Sequence, residues 1–238
     1  MSLKRLIKKI PFIKKQLKSL NNSFLREEFV RDTLTKIKAN ENILDAGCGS
    51  QHYKKYCSHL HYKSQDFGLY KADDKKGFAF ETGEYEYGNL DYVGNVWEIK
   101  EKDEYFDNII CTEVFEHIPY PIETVKEFSR IIKSGGKLIL TAPSNSLRHM
   151  DPYYFYAGFS DRWFEKILNE FDFEIMTIET IGDYYSWLKV EIYRTMSNHS
   201  LFSKLLLFPA FIFYNSIKKT ETSVNTLCMG YHIIAKKK

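Results

Sequence analysis

Apolar positions in this chain alternate between short unbroken runs and stripes at helical spacing. Asn42–Ala46 (NILDA), Phe106–Cys111 (FDNIIC) and Lys137–Ala142 (KLILTA) are short apolar runs, and each predicts a buried strand. Tyr62–Asp66 and Leu90–Val93 predict two shorter strands, and Phe173–Thr180 and Leu227–Ala235 two more. Between them lie helical patterns. Phe24, Leu25, Phe29, Val30, Leu34 and Ile37 mark a helix over 24–37. Pro121 opens a second, with Ile122, Val125, Phe128, Ile131 and Ile132 on its apolar face and Gly135-Gly136 at its end. Asp161–Phe171 predicts a third helix, residues 186–217 read as mostly helical, and 67–90 as a long loop. Strands alternating with helices predict an α/β fold with a mostly parallel sheet and helices on both faces.

Composition narrows this little: 238 residues, 44% hydrophobic and 27% charged, exclude a collagen-like, coiled-coil or disordered chain. Cysteines 48, 57, 111 and 228 have neither zinc nor disulfide-framework spacing, which predicts a reducing, cytoplasmic setting. Charge is uneven. Residues 1–20 hold seven basic residues and no acid, leaving 27 basic against 31 acidic residues in the rest. The expected division is a basic amphipathic arm, 1–22, and one domain, 23–238, with an apolar helical insert at 186–217. In the arm Leu3, Leu6, Ile7, Ile10, Ile13 and Leu17 recur at near-helical spacing, although Pro11 must kink it. Lys8, Lys9 and Pro11 break any secretory signal. No run reaches the ~20 apolar residues of a spanning helix. The insert's apolar stretch around Leu205–Tyr214 is interrupted by Pro209 and neighbours Lys204, Lys218 and Lys219. It either packs on the sheet or joins the arm in peripheral contact with an anionic inner-membrane surface. No nucleic-acid motif accompanies the basic charge, so no nucleic-acid partner is expected.

The sharpest chemical signal is Ile43-Leu44-Asp45-Ala46-Gly47-Cys48-Gly49-Ser50, a strand running into a two-glycine turn. Glycine permits positive φ and close approach of a ligand to the backbone. Asp66 ends the next strand 21 residues after Asp45, a spacing that suits an acid accepting hydrogen bonds from a ribose diol. Two further blocks follow in order: Tyr105–Pro119, containing Glu113-Val114-Phe115-Glu116-His117, and Phe128–Pro143, containing Arg130-Ile131-Ile132-Lys133-Ser134-Gly135-Gly136. Together these resemble the class I S-adenosylmethionine-dependent methyltransferases, in the branch with D-x-G-C-G, E-V-x-E-H and R-x-x-K-x-G-G blocks.

The resemblance covers about Asn42–Pro143. It implies a Rossmann-like seven-stranded sheet with the last strand antiparallel, and S-adenosylmethionine as cofactor. It implies cofactor contacts at Asp45, Gly47, Cys48 and Gly49, with Asp66 on the ribose. Asn95 would hold the adenine amino group, and Thr112 and Glu113 would line the pocket. Two features depart from the family: Gln51 stands where a third glycine is usual, and 67–90 is longer than usual.

Glu113, Glu116 and His117 lie at i, i+3 and i+4, which on a helical turn puts them on one face. His117, supported by Glu116, is the first candidate general base. The alternative is a divalent cation held by Glu113, Glu116, His117 and His149, a pattern similar to metal-dependent O-methyltransferases of small-RNA ends and ubiquinone precursors; a cation is not the favoured reading. A bland reading, in which Glu116 salt-bridges and His117 only packs, stands beside both. His149 is a second candidate base. It opens an aromatic run, Tyr153-Tyr154-Phe155-Tyr156, in the expected acceptor segment 144–164, while Trp163 and Phe164 are expected in the core. The expectation is O-methylation of a saccharide or lipid-linked glycan. A small phenol or quinone precursor is the alternative, and a non-catalytic cofactor-fold binding protein a second.

Overall fold

The computed structural model describes residues 22–71 and 86–238. The basic arm of residues 1–20 and residues 72–85 of the predicted loop lie outside the described residues. Seven strands form one sheet: β1 (Asn42–Ala46), β2 (His61–Asp66), β3 (Tyr92–Val93), β4 (Phe106–Thr112), β5 (Ile132–Pro143), β6 (Phe173–Ile181) and β7 (Gly230–Lys237), in the order β3-β2-β1-β4-β5-β7-β6. β1 runs parallel to β2 and β4, β2 to β3, and β4 to β5, whereas β7 is antiparallel to β5. The expected parallel sheet with an antiparallel last strand is the one observed. The chain winds outward from β1 to β3, then returns to β4 on β1's other side. That reversal makes the carboxyl ends of β1 and β4 a switch point, where ligands bind in such sheets.

The central strands are buried on both faces, as continuous apolar runs require. Ile43, Leu44, Ile109, Ile110, Leu138, Ile139 and Leu140 have no exposed surface. α1 (Asn22–Leu34) buries Val30 and Leu34, α2 (Pro121–Ile131) buries Val125, Phe128 and Ile131, and α3 (Asp161–Glu170) buries Phe164 and Leu168. Phe115 packs its ring against Phe128, Phe159 and Phe164. Each such side chain contributes about 1.5–3 kcal/mol of burial. Phe164 is a core residue as expected; Trp163 is half-buried.

The predicted end of α2 at Gly135-Gly136 needs correction. The helix stops at Ile131, and β5 starts at the next residue. Ile132 pairs with Phe106 and is fully buried, so sheet pairing takes the chain out of the helix before the glycines. Both glycines lie inside β5.

By internal contacts the chain divides into two units. Residues 30–179 and 230–238 form the sheet-bearing unit just described. The other holds residues 180–229 and, of the described N-terminal residues, 22–29. It contains α4 (Tyr184–Asn198), α5 (Leu201–Ser216) and α6 (Glu221–Thr226). The stretch predicted as mostly helical over 186–217 is thus two helices, broken at His199 and Ser200, where Ser200 caps α5 by accepting from the Ser203 N–H. Asp183 caps α4 by accepting from the Ser186 N–H, and its other oxygen accepts from the Ser223 hydroxyl of α6 at 2.7 Å. α4 and α5 pack through Tyr185 on Tyr214 and Tyr193 on Phe211.

Candidate active site

At the carboxyl end of β1 the backbone turns through Gly47 (φ +71°), Gly49 (φ +49°) and Gln51 (φ +56°). Gln51 takes the left-handed conformation itself in place of the family's third glycine. Its side-chain amide donates to the carbonyls of Tyr87 and Asn89 at 2.7 and 3.0 Å. The helix that commonly follows such a turn is here one 3₁₀ stretch, His52–Tyr56. At Gly47 a Cβ would lie 2.4 Å from Val114 Cγ2, so close packing on β4's exit loop adds to the conformational demand for glycine.

Beside this turn opens a cleft of about 690 Å³, its mouth included. Gly47, Gln65, Asp66, Gly94 and Asn95 are among its lining residues, together with His117, Met150, Tyr153, Phe155, Phe67 and Trp97. The sheet-bearing unit thus gathers Gly47, Asp66, Asn95 and His117 of the expected cofactor and catalytic residues, with Tyr153 and Phe155 of the aromatic run. Asp66 Oδ2 accepts from the Gly49 N–H at 2.9 Å and Oδ1 from the Gly68 N–H at 3.0 Å. Each oxygen keeps a second lone pair for a ligand hydroxyl. Burial pushes the Asp66 carboxyl above its ordinary value, against the pull of those backbone bonds.

Several expected contacts lie elsewhere. Asp45 is buried beneath the turn, where Oδ2 accepts from the Tyr62 hydroxyl at 2.8 Å. Its pKa is pushed up to about 7 by burial, with the nearby Asp66 charge adding to the shift. Cys48 is buried, and burial pushes its thiol well up. Gly49 meets the site through its N–H on Asp66. Thr112 and Glu113 are not among the cleft-lining residues. Glu113 takes a left-handed backbone (φ +52°), and its carboxylate accepts from the Thr141 hydroxyl at 2.9 Å. The helical turn expected over 113–117 is only a 3₁₀ stretch, Phe115–His117, so the three acidic and imidazole groups do not share one helical face.

Among the described residues, Glu116, His117 and His149 place one ligand-competent atom each within 4.8 Å of one another, and Glu113 is not in this group. His117 Nδ1 lies 2.6 Å from the Tyr153 carbonyl and His149 Nδ1 lies 2.8 Å from the Leu147 carbonyl. A carbonyl accepts only, so Nδ1 is the protonated nitrogen in each neutral ring and Nε2 carries the lone pair. The two rings meet edge to face at 4.6 Å, and His117 Nε2 is 3.7 Å from Glu116 Oε1. Burial pulls the His117 pKa down to about 4. The acceptor segment is tied to this turn by its backbone: the N–H groups of Phe155 and Tyr156 both donate to the Glu116 carbonyl. Of the tyrosines singled out, Tyr153 lines the cleft. Tyr154 donates to the Ser146 carbonyl at 2.6 Å and Tyr156 to the Pro119 carbonyl at 3.2 Å.

Sequence reasoning missed Gln65. It is 2% exposed, and its amide donates to the Gly94 carbonyl at 2.7 Å while its side-chain oxygen accepts from the Gly47 N–H at 3.2 Å. It therefore bridges the two glycine turns that flank the cleft. At Gly94 φ is +142° and a Cβ would meet no atom within 4 Å, so that backbone stands open to an approaching ligand. Two glycine turns on either side of a buried carboxylate fit a ribose-bearing cofactor.

A family model described as a methyltransferase domain matches residues 17–190. A ubiquinone biosynthesis O-methyltransferase of Shewanella pealeana is 26% identical over 141 residues, 57% of this chain and 57% of that protein. The chain thus spans little more than half the length of that curated relative. Among solved structures, a SAM-dependent methyltransferase from Archaeoglobus fulgidus superposes with a TM-score of 0.56 at 17% identity, over 96% of this chain and 100% of that one. A Haemonchus contortus phosphoethanolamine N-methyltransferase 2 in complex with S-adenosyl-L-methionine superposes with a TM-score of 0.53 at 13% identity, over 100% of this chain and 60% of that one. With the family match extending over most of its length, on a sheet of this strand order, the chain belongs to the S-adenosylmethionine-dependent methyltransferases.

Proposed function

We propose that the protein transfers the methyl group of S-adenosylmethionine to a hydroxyl of a small, flat, largely apolar acceptor of the phenol or quinone-precursor type. The observation that carries this is the cleft itself. Its cofactor-suited end, Gly47, Asp66 and Gly94, runs into a region of aromatic and apolar side chains with His117 among them. A saccharide would bring hydroxyls against Ile118 and Phe155 beside His117 and leave them unpaired, at a cost of roughly 1–3 kcal/mol each. The name of the curated relative points the same way.

In this reading Asp66 holds the ribose diol, Asn95 the adenine amino group, and the Gly47 and Gly94 turns the cofactor's close edges. Bound cofactor supplies an electrophilic methyl on sulfur. An acceptor oxygen held in line with the methyl–sulfur bond would form the O–C bond as the S–C bond breaks, the electron pair staying on sulfur. His117, kept neutral above about pH 4 by burial, offers Nε2 to the acceptor's proton, and the Glu116 carboxylate lies 3.7 Å from that nitrogen, where positive charge would develop. The protein's remaining contribution is alignment and exclusion of water.

A second reading is favoured by one observation. Both imidazoles place Nδ1 within donating distance of a carbonyl, and one nitrogen of each ring lies within 4.8 Å of a Glu116 oxygen, an arrangement that suits metal-ligating histidines. Glu116, His117 and His149 would hold a divalent cation, which lowers the pKa of an acceptor hydroxyl when bound.

The test is calorimetry with S-adenosylhomocysteine, followed by methyl transfer to panels of catechols and saccharides, with and without chelator. Methylation of catechols, unaffected by chelator and lost in His117→Ala, is the expected result. Loss with chelator and recovery with added magnesium selects the second reading. No binding at millimolar cofactor, or methylation of saccharides alone, overturns the proposal.

A further inference from the structure

We infer that the outer face of α5 is a membrane-docking surface for anionic bilayers. Successive residues of an α-helix are rotated by about 100°. Leu207, Phe211 and Tyr214 fall on one side of α5 and are half-buried, with Phe211 and Tyr214 against α4. Leu201, Leu205, Phe208 and Ile212 form a second stripe, and Phe202, Leu206 and Phe213 a third beside it. These seven side chains are 50–74% exposed and together sweep about 160° of the helix surface. A contiguous apolar face of this width is unusual on a surface that meets only water.

Charge selects the occupant. Residues 192–220 contain no Asp or Glu, and they carry Lys204, Lys218 and Lys219, besides Arg194, which pairs with Glu191 at 3.2 Å. An apolar helix face inside an acid-free, basic stretch matches the headgroup and acyl boundary of an anionic leaflet. A second copy of the chain fits less well, because a two-fold contact through this face would bring the same lysines together. The helix does not span: its 16 residues reach about 24 Å against a hydrocarbon core of about 30 Å, and among the described residues no helix is long and apolar enough to cross a membrane. It would lie in the interface plane.

Co-sedimentation of the full chain with vesicles tests this. Phosphatidylcholine vesicles are compared with vesicles containing about one third phosphatidylglycerol, for the parent and for Leu205→Gln/Phe208→Gln, whose fold is checked by circular dichroism. The parent should partition onto the anionic vesicles, less so at high salt, and the double variant should lose about tenfold in partitioning with the basic arm intact. A parent that stays in the supernatant overturns the inference. So does a double variant that sediments like the parent, or a parent dimer that the variant turns monomeric while neither binds vesicles. Methyl transfer to a soluble acceptor is unaffected by either result, so the proposed activity stands or falls separately.

Discussion

Gln65 joins two turns 47 residues apart, and the joint can be cut without touching the cofactor's expected partners. In Gln65→Leu the Gly94 carbonyl loses its 2.7 Å donor, and Gly47 keeps only its bond to the main-chain carbonyl of residue 65. We expect S-adenosylhomocysteine to bind about tenfold more weakly, a cost of about 1–2 kcal/mol, with kcat at saturating cofactor nearly unchanged. Calorimetry beside steady-state rates checks this; unchanged affinity would show that the bridge positions nothing. Asp66→Ala should weaken the same binding by roughly 1–3 kcal/mol. Gly47→Val is a poorer probe, since its Cβ would strike Val114 and the fold would suffer first. The position of Asp66 on the cleft was legible because a strand, a turn and an acid at fixed spacing are local patterns. Gln65 was not, because its role lies in partners 18 and 29 residues away. Tyr153 could not be told from Tyr154 and Tyr156 for a similar reason. All three have the same chemistry, and only the docking of that segment's backbone on Glu116 decides which ring turns to the cleft.

The strand order was readable from periodicity with proline and glycine signals, whereas the short helix over Glu221–Thr226 and the break at His199 and Ser200 were not, and at one junction strand pairing overrides local preference. The glycine pair after α2 reads as a helix stop, yet both glycines serve the edge of β5. At Gly136 a Cβ would come within 2.7 Å of the Asp107 carbonyl oxygen and 2.9 Å of the Lys133 carbonyl oxygen. Neither backbone atom can move without breaking the β4–β5 register, which already shifts between Phe106 and Asn108. Gly136→Ala should therefore destabilise the protein by about 1–3 kcal/mol, through strain and not through lost helix capping. Urea unfolding measures it. A neutral substitution would mean that the bulge absorbs a methyl group, and that the close approach of the two strands is slack. Gly135→Ala is the comparison. Its φ of +79° also disfavours a side chain, but a Cβ there meets only the end of the Lys236 side chain at 3.9 Å. It should cost less than Gly136→Ala.

For the molecule as a whole, the buried carboxyl of Asp45 sets a pH dependence opposite to that of three hydrogen-bonded carboxylates. Asp91, Asp107 and Asp183 are held below the ordinary carboxylate value. Desolvation opposes the shift in each, and hydrogen bonds from Lys63, Lys133 and Ser186 outweigh it. The stability these three contribute is present above the unfolded value and is lost as pH falls below about 4. Asp45 has a folded pKa near 7 against 3.8 unfolded, because burial penalises its charged form. The native state therefore holds more protons than the unfolded chain between about pH 4 and 7, and stability falls as pH rises through that window. A carboxyl raised this far costs the fold about 4 kcal/mol once it is fully ionised. Asp45→Asn keeps an oxygen to accept from Tyr62 but cannot ionise. In cofactor-free protein the variant should be only about 1 kcal/mol more stable than the parent at pH 4.5, because ionisation of the unfolded carboxyl has already begun there. The variant should become progressively more stable up to pH 7, with a gap approaching 4 kcal/mol at pH 8. The three lowered carboxylates are common to both proteins and titrate below the window, so the difference curve reads Asp45 together with its coupling to Asp66, whose carboxyl burial also raises. Curves that run parallel from pH 4.5 to 8 would mean that Asp45 is ionised in the fold at all these values. The Tyr62 hydroxyl and the turn's backbone dipoles would then offset its burial in full, and the turn above it would rest on a charge instead of a neutral hydrogen bond.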